Sequence, residues 1–164
     1  MQSYAFEFME VYRKDWADTA KEFEKSLFSD IDSALIKVRK LTEIIVKEIY
    51  ANEGMEYPSF SNQAERLLIL KNDGVLDEDL FKSFDRIRRM GNSAAHRNEP
   101  ISIVDGINVH KNLYMILKWY VEAYISYDSK IPDYQEPKPE DLSDKVKQML
   151  KEILPDHLNS FVTS

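Results

Sequence analysis

Residues 29–54 read SDIDSALIKVRKLTEIIVKEIYANEG. Ile31, Ala34, Leu35, Val38, Thr42, Ile45 and Ile49 recur at the spacing of one helical face, and Leu41, Ile44 and Val46 widen that stripe. A helix apolar over so much of its girth must be buried on several sides. Ser29 or Asp30 can cap its start, and Asn52 and Gly54 are stop signals. The stretch therefore predicts a central, largely buried helix, and with it an all-α fold. Arg39, Glu43 and Tyr50 share the flank of this helix, with Arg39 and Glu43 one turn apart.

The neighbouring segments carry the same periodicity. Upstream, Trp16, Ala20, Phe23 and Leu27 align on one face of a helix over roughly 9–27, while the alternating YAFEF at 4–8 reads as extended. Downstream, a loop with Pro58 leads to a short helix near 61–72, ended by Asp73-Gly74. Asp77 caps the next helix, which runs to about His96. After the turn RNEP at 97–100, Ser102 or Asp105 starts a last core helix with Ile103, Ile107, His110, Tyr114, Leu117, Val121 and Tyr124 on one face. The expected architecture is a helical bundle of about four or five core helices in residues 1–128. SKIPDYQEPKPED at 129–141 reads as a proline-rich linker, and 142–164 as a C-terminal amphipathic helix and tail, with Leu142, Val146, Met149, Leu150 and Ile153 at helical spacing before Pro155.

Composition narrows the function classes. The 164 residues, 43% hydrophobic, suffice for one domain with its own core. A formal charge of −7 opposes diffuse binding to a polyanion, so any nucleic-acid contact, to RNA or DNA, must be focal. Absence of cysteine excludes disulfides, zinc–thiolate sites and thiol nucleophiles. The N-terminus lacks the pattern of a signal peptide, and no apolar run approaches the roughly 20 residues of a membrane span. The reading is a soluble, cytoplasmic protein with no membrane partner. No glycine-rich phosphate loop and no His/Asp/Glu set with metal-ligand spacing is present, so no cofactor and no metal is expected.

One focal basic stretch exists. Within 82–97, Lys82, Arg86, Arg88, Arg89 and Arg97 face only Asp85 as an acid. At ~100° per residue, Asp85, Arg88, Arg89, Asn92 and His96 fall within about a quarter of a helix circumference. Beside them Gly91, Ala94 and Ala95 form a stripe of very small side chains. Glycine in a helix costs about 1 kcal/mol relative to alanine, so Gly91 calls for a reason, and close approach of another backbone would supply one. The polar group suits metal-free RNA cleavage: histidine moves protons near neutrality, and guanidinium matches phosphoryl oxygens. His96 would be the acid/base, Arg88 or Arg89 the phosphate ligand, and Asn92 an orienting group. The same residues read equally as a solvated charged face. His110, on an apolar face, reads as a satisfied core histidine, and Tyr120, Tyr124 and Tyr127 in WYVEAYISY read as core aromatics rather than base-stacking groups.

SDIDSALIKVRKLTEIIVKEIY and FDRIRRMGNSAAH, taken together, resemble the small helical domain found at the N-terminus of type I restriction R subunits and related helicase-like proteins, and also as free-standing bacterial proteins. That domain belongs to the HEPN superfamily. The resemblance covers roughly residues 4–127, and its most specific piece is Arg-x-x-Gly-Asn-x-Ala-Ala-His from Arg88 to His96. It implies a bundle that often forms homodimers, a prokaryotic defence or restriction context, and in ribonuclease members a metal-independent Arg/His endoribonuclease site. Six residues separate Arg89 from His96, inside the ribonuclease range, whereas seven separate Arg88, the better match to the restriction-linked group. Glu43 and Arg39 match an acid and an arginine on the preceding long helix, where Glu43 would hold an arginine. The alternative that the resemblance implies is a non-catalytic nucleic-acid-binding or dimerisation module of a restriction or helicase subunit.

Overall fold

The computed structural model describes residues 5–96, 100–139 and 142–153. All regular structure among them is helical: α1 (Lys14–Ser26), α2 (Ile31–Asn52), α3 (Gln63–Asn72), α4 (Glu78–His96), α5 (Ile103–Tyr120) and α6 (Leu142–Ile153). A 3₁₀ turn (Glu7–Val11) precedes α1, and a π turn (Val121–Ile125) extends α5. Helix α2 is central, packing most extensively on α4 and also on α1, α5 and α3. Its residues Ala34, Leu35, Val38, Ile45, Val46 and Ile49 are fully buried. At about 1.5–3 kcal/mol per large aliphatic side chain removed from water, that stripe is a principal source of the bundle's stability. Ile44, read as part of it, is instead half exposed on the outer side of α2.

The helix boundaries follow their caps. Asp30 accepts from the Ser33 N–H, Asn62 from Glu65, Asp77 from Leu80 and Ser102 from Asp105. Gly54 and Gly74 close α2 and α3 with positive φ, the conformation that glycine adopts without a Cβ penalty.

Two expectations are corrected at the N-terminal end. Residues 5–8 of YAFEF are not extended: the chain turns at Ala5–Phe6 into the 3₁₀ turn, burying Phe6 and Met9. Helix α1 starts at Lys14 rather than near 9, because Arg13 is extended at its N-cap.

Residues 129–139 have no regular structure, yet they lie on the bundle as a strap. Pro137 is buried, and Ile131 and Tyr134 pack against the core. The Tyr114 hydroxyl donates to the Pro132 carbonyl. His110 is wholly buried, as a satisfied core histidine should be, with Nε2 2.7 Å from Glu24 Oε1 and Nδ1 2.7 Å from the Tyr134 hydroxyl. With Nε2–H donating to the carboxylate, Nδ1 accepts from tyrosine, and both ring nitrogens are satisfied. Tyr120 is buried, but Tyr127 is not a core aromatic: it is largely exposed beyond the π turn. On α6, Val146, Met149, Leu150 and Ile153 expose one apolar face to solvent. The tail from 154, with Pro155 and His157, lies outside the described residues.

Candidate functional site

The cluster is assembled where α4 crosses α2. Gly91 is the contact point: a Cβ there would lie 2.5 Å from Arg39 Cβ and 2.9 Å from Arg39 Cδ. What occupies the space is therefore the root of the Arg39 side chain and not another backbone, a correction to the sequence expectation. Ala94 is buried beside this contact, whereas Ala95 is exposed and takes no part in it.

Seating Arg39 over Gly91 brings its guanidinium onto α4. Arg39 Nη1 donates to Asn92 Oδ1 at 3.1 Å, joining residues 53 apart in sequence. Glu43 Oε1 lies 3.8 Å from Arg39 Nε, too far for a hydrogen bond, and Nε is buried without a hydrogen-bond partner among the described residues. The arginine that faces Glu43 is thus Arg39, and its position rests on packing and on Asn92 more than on the carboxylate.

Asp85 organises the other two arginines. Its Oδ1 accepts from Arg88 Nε and Nη2 at 3.1 and 2.8 Å, and its Oδ2 lies 3.0 Å from Arg89 Nε. The i, i+3 and i, i+4 spacing that permits this was readable in sequence; the sharing of one carboxylate between two guanidinium groups was not drawn from it. The two arginines differ in access. Arg88 is 24% exposed and Arg89 is 58% exposed, so Arg89 presents more of its guanidinium to solvent.

His96 ends α4, exposed, one turn beyond Asn92. It has no hydrogen-bond partner among the described residues, and Arg97 with the following two residues lies outside them. Asn92 Oδ1 is engaged by Arg39, so the orienting role expected for Asn92 is directed at Arg39 in this structure. An exposed imidazole at the end of a row of Arg39, Asn92 and the Asp85-linked arginines offers one proton-transfer group beside a net positive surface. Such a surface suits a polyanion more than a small molecule, which requires enclosure.

The groove of about 380 Å³ between α1 and α2 contains none of these residues; Thr19, Lys37, Lys40 and Ile44 line it on another side of α2. Among the described residues no three His, Asp or Glu side chains converge as metal ligands, and no helix is long and apolar enough to cross a membrane.

A family model described as a domain of unknown function, DUF4145, matches residues 21–152, from α1 to the end of α6. No curated protein and no solved structure matches the chain.

Proposed function

The chain belongs to the DUF4145 family, and from that premise we propose that it is a HEPN-like, RNA-directed domain of a prokaryotic defence or restriction system, with a metal-independent endoribonuclease centre at His96. The observation that carries this reading is the Gly91 seat: it delivers Arg39 from α2 to Asn92, one turn from His96. A solvated charged stripe on a single helix would not require a buried glycine and a cation inserted from a second helix.

In the proposed reaction the ribose 2′-oxygen attacks the adjacent phosphorus, the bond to the 5′-oxygen breaks, and a 2′,3′-cyclic phosphate forms. One proton leaves the 2′-hydroxyl and one goes to the departing oxygen. His96 performs one of these transfers, and a second copy of the chain, placed by homodimerisation, supplies the group for the other. Arg89, more exposed than Arg88, contacts the phosphoryl oxygens, while Arg88 anchors Asp85. Arg39 and Asn92 hold the substrate phosphate or ribose beside the imidazole, and Glu43 adds a coulombic hold on Arg39.

Asp85 favours a second reading. Its carboxylate already satisfies both arginines and cancels one of their two charges, as expected of a non-catalytic nucleic-acid-binding or dimerisation module of a type I restriction R subunit or helicase-like protein.

The test is incubation of wild type and His96→Ala with single-stranded and structured RNA in EDTA. Since His96 is exposed at a helix end, its replacement should leave the melting midpoint unchanged. Wild type should yield fragments ending in 2′,3′-cyclic phosphate, and the variant should cleave about 100-fold or more slowly. Undiminished cleavage by the variant removes His96 from the reaction. RNA binding by both without cleavage supports the module.

A further inference from the structure

Arg39, Glu43 and Lys47 follow one another at four-residue steps along α2, and beyond them stands the loop that joins α2 to α3. Its Phe60 is completely exposed, at 106% of the reference area, and covers no other apolar surface. Yet the loop that carries it is held firmly. Arg66 Nε donates to the Pro58 carbonyl at 3.1 Å, Arg66 Nη2 donates to the Ser59 carbonyl at 3.3 Å, and the Ser61 N–H closes back on Pro58. The Arg66 guanidinium lies 4.6 Å over the Tyr57 ring, which meets Tyr50 edge-on at 5.6 Å, and the Tyr50 hydroxyl donates to the Arg66 carbonyl. Lys47 Nζ is 5.7 Å from the same Tyr57 ring and forms no ion pair with the described residues. A phenyl ring is thus presented to solvent by a loop already ordered, with a cation and a second aromatic beside it.

We infer that Phe60 and Tyr57, with Lys47, form a base-stacking platform for single-stranded RNA, a subsite of the same RNA-directed centre; the inference rests on that reading. Lys47 lies about 12 Å along α2 from Arg39, roughly three to four nucleotides at the ~3.4 Å spacing of a stacked strand. A strand with one phosphate at the His96 centre therefore reaches the platform within a few bases. Only unpaired bases offer free π-faces, so a duplex would not engage it. A protein partner fits less well. Anchoring aromatics at protein interfaces sit within a desolvated apolar surround, whereas Phe60 is flanked in sequence by Ser59, Ser61 and Asn62. Glu43, Glu56 and Glu65 lie along the same route and limit phosphate contacts, so stacking rather than counterion release supplies the affinity there.

Binding is measured by fluorescence anisotropy in the His96→Ala background, to prevent turnover, using fluorescein-labelled oligouridylate of two nucleotides and of about twelve, long enough to span both sites. The longer RNA should bind more tightly than the dinucleotide, Phe60→Ala should abolish that gain by weakening the longer RNA about 5- to 100-fold, and Phe60→Trp should retain it. Because Phe60 is solvent-exposed, equal melting midpoints will accompany these changes. If the longer RNA binds Phe60→Ala as well as it binds the parent, the platform is wrong and the His96 centre stands. If the parent binds neither RNA, the functional proposal fails and the platform with it.

Discussion

Gly91 shows how much one absent side chain can decide. An added methyl would lie 2.5 Å from the Cβ of Arg39, an atom fixed to the α2 backbone and unable to swing aside. Gly91→Ala should therefore destabilise the bundle by a net ~1–2 kcal/mol: overpacking costs up to ~3 kcal/mol, and better helix propensity returns only ~1 kcal/mol. The expected reading is a lower urea midpoint at unchanged slope; a variant as stable as wild type would mean that α2 and α4 are not in such close contact. Sequence could demand a close neighbour for Gly91 but not identify it, since periodicity gives the face of a helix and not the side chain lying across from it. The same limit applies to the arginines. Their proximity to Asp85 is set by spacing on one helix, whereas the difference in exposure between Arg88 and Arg89 arises from packing against other elements.

At the scale of elements, caps and stop signals were legible because they act within three or four residues. Asp30, Asp77 and Ser102 perform the capping that their positions suggest. The start of α1 was not legible, as apolar spacing continues across the bend at Arg13 without interruption. The strap illustrates a related blind spot: prolines show that 129–139 is not helical but not where it lies, and the partners of Tyr134 are far away in sequence. Glu24, His110 and Tyr134 unite α1, α5 and the strap in one chain of hydrogen bonds. Tyr134→Phe leaves a buried imidazole nitrogen unpaired, at a cost of about 1–3 kcal/mol. Hydrogen exchange should accelerate first in residues 129–139; unchanged exchange there would show that Tyr134 does not hold the strap.

The whole molecule carries a tyrosine-rich interior within an acidic shell. Burial raises the hydroxyl pKa of Tyr50, Tyr114, Tyr120, Tyr124 and Tyr134, with further elevation at Tyr124 from Glu53 and at Tyr134 from Glu136. In the unfolded chain these groups titrate near ~10, so the folded state holds their protons to higher pH. Their contribution to stability is complete below that value and is lost as pH rises above it. Ionisation also adds to a net charge of −7, and self-repulsion grows in the same direction. The thermal midpoint should fall steadily from about pH 10 upward, together with a cooperative rise in tyrosinate absorbance; a flat midpoint over that range would contradict this assignment. The seat of Arg39 on Gly91 has a consequence for inheritance as well. A long residue at 39 tolerates no side chain at 91, and any enlargement at 91 would have to be matched by shortening at 39, removing the cation from Asn92. The two positions form one heritable unit, so a lineage could lose the chemistry of the site through a change that looks like ordinary core drift.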